Sequence, residues 1–179
     1  GQAEKISVIP NACDISVFGK GDRSRFLNKY PRLEGRIIVL YGGTLGDVNG
    51  MGYMLDIASA LPKDGKIAFV LVGDGKQKSH LVERAVREGL IDRNVFFLPP
   101  VPKQEMADIL SACTVATSFV IDLKALWDNS ANKFFDALAA GRPIVINHGG
   151  WLAGLINRHR IGLVVPRRDP ELAAVQLHE

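Results

Sequence analysis

The 179-residue sequence predicts an α/β domain with three layers, α/β/α, built on a parallel sheet of about six strands. Two observations support this fold class: short β-branched runs recur along the chain, and longer amphipathic stretches separate them. The runs are continuously apolar, as expected of strands that helices cover on both faces. They span residues 37–41, 67–72, 95–98, 115–119, 144–146 and 163–165. This alternation is typical of a Rossmann-like, doubly wound sheet.

The predicted helices are bounded by residues that start or stop helices. Proline or glycine follows the stretches 51–61, 77–88 and 131–140, and the stretch 103–111 opens directly after Pro102. Residues 14–35 are predicted to be a polar connecting segment with a short helix at 24–30, and residues 169–179 to begin a helix. We expect one domain over residues 1–179, with residues 1–35 as its lead-in and the C-terminal helix truncated.

Composition narrows the class of protein. With 47% hydrophobic and 23% charged residues, the chain has enough apolar material for one core without disulfides or metal. Cys13 and Cys113 are far apart, with no C-x-x-C pair and no histidine cluster near either, which favours a reducing cytoplasm and no zinc site. A net charge of +3 is too weak to indicate a nucleic-acid partner. No stretch approaches the roughly 20 apolar residues of a membrane span.

Two glycine-rich loops follow the first two predicted strands, at the edge where doubly wound sheets bind ligands. The loop at 42–50 leads into a helix whose free amides favour phosphate, but it is neither G-x-G-x-x-G nor a P-loop. The turn at Gly73, Asp74 and Gly75 offers further backbone amides. The glycines of the loop at 42–50 are explained equally well by a tight turn without a ligand. The turn at residues 73–75 is explained equally well as the start of the next helix, with Asp74 as its cap.

The segment 128–136 is the richest in polar groups. It opens with helix-capping residues and continues into an apolar helix face. Lys133 and Asp136 share one side of that helix, where a cation suits phosphate and a carboxylate suits the vicinal hydroxyls of a sugar. The alternative is an exposed intrahelical ion pair. Of the four histidines, only His148 is predicted to lie near a site.

Six segments, in this order, resemble the C-terminal domain of retaining GT-B glycosyltransferases of family 4. They are residues 8–14, 43–46, 72–75, 94–97, 128–136 and 139–145. The resemblance implies a domain that binds a nucleotide-activated sugar, with UDP favoured as the nucleotide. It also implies that the N-terminal, acceptor-binding domain is absent, since the segment 8–14 resembles the start of the C-terminal domain.

In that family, two acidic residues separated by seven others flank the donor, and the matching positions here are Asp128 and Asp136. The resemblance implies that Asp128 faces the sugar and that Asp136 holds the ribose hydroxyls. Both are Asp where the family usually has Glu, so each side chain reaches a shorter distance. The Arg and Lys of the family's glycine loop correspond to Thr44 and Asn49, which leaves Lys133 as the cation for the diphosphate.

The resemblance therefore implies catalytic roles for Asp128 and Lys133. The residues implied to bind the donor are Gly43, Thr44, Gly73, Asp74, Gly75, Val101, Asn129, Ser130 and Asp136. No metal and no cofactor besides the donor are implied. The acceptor is expected to be a glycan or lipid-linked molecule, as in transferases of bacterial surface polysaccharides, and the parent enzyme to lie peripherally on the inner face of the membrane.

Two alternatives remain at this point. A related nucleotide-sugar 2-epimerase uses the same domain architecture, although the interval from Asp128 to Asp136 argues against it. A Rossmann-like binding module without sugar chemistry is the other.

Overall fold

A computed structural model describes residues 7, 9, 11–62 and 65–179. Within these residues, strands and helices alternate from β1 onward. The strands are β1 (Ile37–Gly42), β2 (Ile67–Val72), β3 (Val95–Leu98), β4 (Val115–Ser118), β5 (Ile144–Ile146) and β6 (Gly162–Val164). The helices are α1 (Ile15–Phe18), α2 (Arg23–Lys29), α3 (Met51–Ala60), α4 (Lys78–Arg87), α5 (Lys103–Ala112), α6 (Asn132–Ala139), α7 (Trp151–His159) and α8 (Pro170–His178).

The six strands form one parallel sheet in the order β3-β2-β1-β4-β5-β6, which confirms the predicted fold class. The chain moves outward in one direction from β1 to β3 and then crosses back to β4 on the other side of β1. The loops that follow β1 and β4 therefore diverge, and a crevice opens between them at the carboxyl edge of the sheet.

Both faces of the sheet are buried, which explains why the strand sequences are continuously apolar. Ile38 and Leu40 of β1 pack into the core on one face, whereas Val39 and Tyr41 pack into the core on the other. The β2 residues divide in the same way, and every one of them is buried. The central strands thus form a rigid base for the loops at their carboxyl ends.

The predicted boundaries differ from the structure in a few places. Helices α1 and α7 were not predicted, and β6 begins one residue earlier than expected. Helix α1 is a single turn that Asp14 caps by accepting a hydrogen bond from the Ser16 N–H. Helix α7 follows Gly150 with no side-chain cap, so the sequence carries no start signal for it.

One buried side chain joins two of the loops at the carboxyl edge. The Asn147 amide, after β5, accepts a hydrogen bond from the Val120 N–H at 2.9 Å and donates one to the Val120 carbonyl at 2.8 Å. Asn147→Ala leaves both buried backbone groups unpaired, and we expect it to lower the free energy of unfolding by about 2–3 kcal/mol in chemical denaturation. Asn157→Ala, on the exposed face of α7, is the control; an equally small effect at both positions would contradict the assigned role.

Candidate functional site

A cavity of about 1180 Å³ opens at the carboxyl edge of the sheet, between the loop after β1 and the first turn of α6. The segment that runs into α1 and the start of α5 complete its wall. Seven of the residues predicted to form the site line it: Gly43, Thr44, Val101, Asn129, Ser130, Lys133 and Asp136. The topology therefore brings together residues that are separated by as many as 93 positions in the sequence.

Lys133 lies in the first turn of α6 with its side chain folded against the loop after β1. Its Nζ is 5.2 Å from the centroid of the Tyr41 ring, and its Cε is close enough that a Cβ on Gly43 would lie 3.3 Å away. Burial lowers the pKa of Lys133, and the nearby charge of Asp136 opposes that shift. Lys133 and Asp136 do not form an ion pair with each other in the described part of the chain. The alternative of an exposed intrahelical ion pair is therefore wrong.

Asp136 is placed one turn further along α6, partly buried in the same wall. Burial raises the pKa of its carboxyl, while Lys103 and Lys133 oppose the shift. Near neutral pH both groups are charged although burial disfavours their charged forms, so both lower the stability of the folded chain. The destabilisation by Asp136 decreases as the pH falls and its carboxyl is protonated, and that by Lys133 decreases as the pH rises and its ammonium is deprotonated. Two desolvated groups of this kind in one cavity are typical of a binding or catalytic site.

Helix α6 itself presents its positive end to the cavity. Its N-cap residue, Ala131, makes no side-chain hydrogen bond to the first turn, so no side chain caps the helix amides. Asn129, Ser130 and Asn132 surround this end on the cavity wall. An uncapped helix N-terminus beside a lysine ammonium favours an anionic ligand.

The segment before α1 forms a wall that was not predicted. The Asn11 N–H donates to Ser130 Oγ at 3.1 Å, and the Asn11 amide donates to the Ser130 carbonyl, so this segment is tied to the loop before α6. On the same side, Lys103 Nζ lies 3.9 Å from a carboxylate oxygen of Asp14 and 5.2 Å from the centroid of the Phe18 ring. The sequence carried one indication of this role for Lys103: the residue follows β3 and Pro102, which places it at the carboxyl edge of the sheet.

The turn at Gly73–Gly75 lies behind the cavity and does not line it. It supports the loop after β1: the Gly43 N–H donates to the Val72 carbonyl at 2.9 Å, and the Leu45 N–H donates to the Asp74 carbonyl at 2.9 Å. The interpretation of Asp74 as the cap of the next helix is wrong, because Gln77 is the N-cap residue of α4 and makes no side-chain hydrogen bond to it. The Asp74 carboxylate accepts from the Gly75 N–H instead.

Two other predicted residues lie off the cavity wall. Asp128 is exposed and is not among the lining residues, although its neighbour Asn129 is. His148 is buried and lines a different cavity, formed with residues 164–169, rather than the one described above. Burial lowers the pKa of His148, and its Nδ1 lies 2.8 Å from the Gly149 carbonyl oxygen.

Thr44 is held on the wall by its own strand. The Tyr41 hydroxyl donates to the Thr44 carbonyl at 2.6 Å, and burial raises the pKa of that hydroxyl, which therefore remains a donor.

In the part of the chain described here, no cluster of three or more His, Cys, Asp or Glu side chains is placed to hold a metal ion. Over the same residues, no helix combines the length and apolar character needed to cross a bilayer.

Comparison with known sequences identifies relatives. Residues 36–179 match the sequence model of the family Glycosyl transferases group 1. The putative colanic acid biosynthesis glycosyl transferase WcaI of Escherichia coli K12 is 30% identical over 100 residues, which cover 54% of this chain and 24% of that protein. D-inositol 3-phosphate glycosyltransferase of Nocardia farcinica is 24% identical over 170 residues, which cover 90% and 36%. The chain thus spans well under half the length of these relatives.

Solved structures share the fold. HepE of Anabaena in complex with UDP-glucose superposes with a TM-score of 0.80 at 21% identity, covering 99% of this chain and 48% of that one. The C-terminal domain of the group 1 glycosyl transferase LpcC of Francisella tularensis gives a TM-score of 0.71 at 16% identity, covering 93% and 86%. With the family match extending over residues 36–179, the chain belongs to the Glycosyl transferases group 1 family.

Proposed function

We propose that this chain is the donor-binding domain of a retaining glycosyltransferase of family 4 that uses a nucleoside diphosphate sugar, with UDP favoured. The observation that carries the proposal is the pair Lys133 and Asp136, both desolvated and facing one cavity at the uncapped end of α6. The likeness of the fold to HepE, whose structure is in complex with UDP-glucose, supports the choice of ligand class.

The diphosphate binds between Lys133 and the backbone of Gly43, Asn129 and Ser130. Because the Gly43 and Asn129 N–H groups already donate to the Val72 and Leu126 carbonyls, the Ser130 N–H and the amides at the start of α6 are the donors to phosphate. These groups lie on facing walls of the cavity, with the Lys133 side chain packed against Gly43. When the bond from the sugar to the diphosphate breaks, negative charge grows on the leaving phosphate oxygens. A fixed ammonium and oriented amides stabilise that charge as it develops, which is the largest contribution such a site makes to the rate.

Asp136 binds the ribose. It stands one helical turn beyond Lys133, so a nucleotide whose phosphates meet Lys133 brings its ribose towards the carboxylate. A carboxylate accepts two hydrogen bonds from vicinal hydroxyls. The base then packs towards Val101, with the turn at Gly73–Gly75 supporting the loop on the other side.

Asp128 faces the transferred sugar. Its side chain is exposed, and the next residue in the chain, Asn129, lines the cavity. There it stabilises the positive charge of an oxocarbenium-like sugar.

The acceptor, a glycan or a lipid-linked molecule, is bound by a second, N-terminal domain, and the proposed reaction needs no metal. The parent enzyme acts at the inner face of the membrane, and the domain without its partner has little or no transferase activity.

The role of Asp136 predicts a dependence on the ribose hydroxyls. The unmodified chain is expected to bind UDP about tenfold to a hundredfold more tightly than 2′,3′-dideoxy-UDP, because hydrogen bonds to a carboxylate contribute about 1.5–3 kcal/mol. Asp136→Ala is expected to bind the two nucleotides equally, as measured by calorimetry. Asp136→Asn, which keeps one acceptor oxygen, should recover part of the difference. A preference for UDP that persists unchanged in Asp136→Ala would contradict this assignment of the ribose.

A further inference from the structure

The loop between β4 and α6 has little regular structure, yet it carries Asp128, Asn129 and Ser130. Its one regular element is a 3-10 turn at Lys124–Leu126. Two backbone hydrogen bonds follow that turn, from the Trp127 N–H to the Lys124 carbonyl at 3.0 Å and from the Asn129 N–H to the Leu126 carbonyl at 3.2 Å. Contacts with other loops must therefore set its position over the cavity.

Asn147 holds Val120 at the start of this loop and Asn11 holds Ser130 at its end, while Trp127 makes the contacts between them. The Arg167 guanidinium lies over its ring, with 4.6 Å between the guanidinium carbon and the ring centroid. Gly149 and Gly150, before α7, pass close by: a Cβ on Gly149 would lie 2.9 Å from two ring carbons, and one on Gly150 would lie 2.3 Å from the Trp127 carbonyl oxygen. The indole N–H is buried with no hydrogen-bond partner among the described residues, so packing and the guanidinium hold the ring in place.

Arg167 also contacts the loop at a second point. Its Nε lies 2.8 Å from Asp122 Oδ1, five residues before Trp127 in the same loop. Arg168 binds the other oxygen of the same carboxylate, with Nε at 2.5 Å from Oδ2, but Arg168 is largely exposed and its cation does not lie over an aromatic ring. The two arginines thus share one anionic partner, and only Arg167 joins that partner to Trp127.

We propose that Arg167 and Trp127 are positioning residues for the nucleotide-sugar site: from the loop after β6, Arg167 holds the 120–130 loop so that Asn129 and Ser130 remain on the cavity wall, with Asp128 next to them in the chain. This inference rests on the proposed function of that cavity. It adds a residue from the loop after the outermost strand, which is not among the residues that line the cavity, to the determinants of donor affinity.

The test compares Arg167→Ala with Arg168→Ala. Each variant removes one positive charge and one ion pair with Asp122, so a difference between them reports the contact with Trp127. Arg167→Ala is expected to speed hydrogen exchange at the Trp127 and Asn129 amides by about threefold to tenfold and to weaken UDP binding by a similar factor, in line with the strength of a cation–π contact. Arg168→Ala is expected to change both by less than about twofold.

Arg167→Lys, which keeps the cation but not the planar group, should recover part of both losses. Equal effects of the two alanine variants, or unchanged exchange in Arg167→Ala, would overturn the inference. If the unmodified chain binds no UDP, the proposed function fails. The exchange rates then still decide whether Arg167 orders the loop, because they are measured without ligand.

Discussion

Lys133→Met is expected to weaken the binding of UDP by about two orders of magnitude, the largest loss from any single substitution in the cavity. The ammonium is desolvated against Tyr41 and Gly43, and under the proposed function the diphosphate is its direct counterion. Removal of one partner from a desolvated charge pair typically costs about 2–5 kcal/mol. Isothermal calorimetry measures the effect directly. Methionine keeps most of the apolar contact with Tyr41, so the charge is the main change.

Two comparisons isolate the charge of Lys133. Lys103→Met removes the other cation of the cavity wall, but Lys103 is 57% exposed and paired with Asp14, so we expect a loss of less than about tenfold. Because burial lowers the pKa of Lys133, UDP affinity should fall as the pH rises through that lowered value, below the ordinary lysine value of 10.5. Lys133→Arg, which stays charged, should lack this alkaline loss. Equal losses from the two methionine variants would contradict the assignment of phosphate to Lys133.

Gly73→Ala is expected to lower the free energy of unfolding by about 3–5 kcal/mol in urea or guanidinium denaturation. A Cβ at this position would lie 2.0 Å from the Gly43 carbonyl oxygen, and the backbone has a φ of +148°, which side chains rarely adopt. The neighbouring atoms are backbone, so relief requires the loop after β1 to move. That movement displaces Gly43 and should also weaken nucleotide binding.

Gly89→Ala is the matched control. Gly89 also has a positive φ, of +63°, but a Cβ there would meet no atom within 4 Å. Gly89→Ala should therefore lower the free energy of unfolding only through the unfavourable backbone conformation, by about 1–2 kcal/mol. If Gly73→Ala is no more destabilising than Gly89→Ala, the two glycine loops are not in the close contact described here.

The sheet could be predicted from the sequence because its signal is local. The strands are apolar runs apart from Thr117 and Ser118 in β4, and the predicted runs match the observed strands to within one residue at either end. Helix α7 was missed for a physical reason: it begins after Gly150 without a side-chain cap, and its boundaries depend on packing against the core through Leu152 and Ile156. Such contacts leave no start signal in the chain.

Site residues that lie on the same helix could be predicted from the sequence. Residues that are brought together only by the packing of different helices and loops were harder to predict. Lys133 and Asp136 stand on one helix and line one cavity, as their spacing indicates. His148 follows β5 and lines a second cavity with residues 164–169, because β5 pairs with β6 and brings the loops after the two strands together. Lys103 carries a local signal, its position just after β3, whereas Asn11 reaches the wall only through the packing of α1 against α5 and α6, which no local pattern in the sequence encodes.

Under the proposed function, the cavity between the loop after β1 and α6 binds a nucleoside diphosphate. Calorimetric titration of the unmodified chain with UDP, GDP and ADP, repeated on Lys133→Ala and Asp136→Ala, measures this binding. We predict binding of one nucleotide, with UDP favoured, and an affinity lower by about tenfold or more in both variants. An affinity that is unchanged in both variants would place the nucleotide elsewhere and contradict this site, as would the absence of binding by all three nucleotides to the unmodified chain.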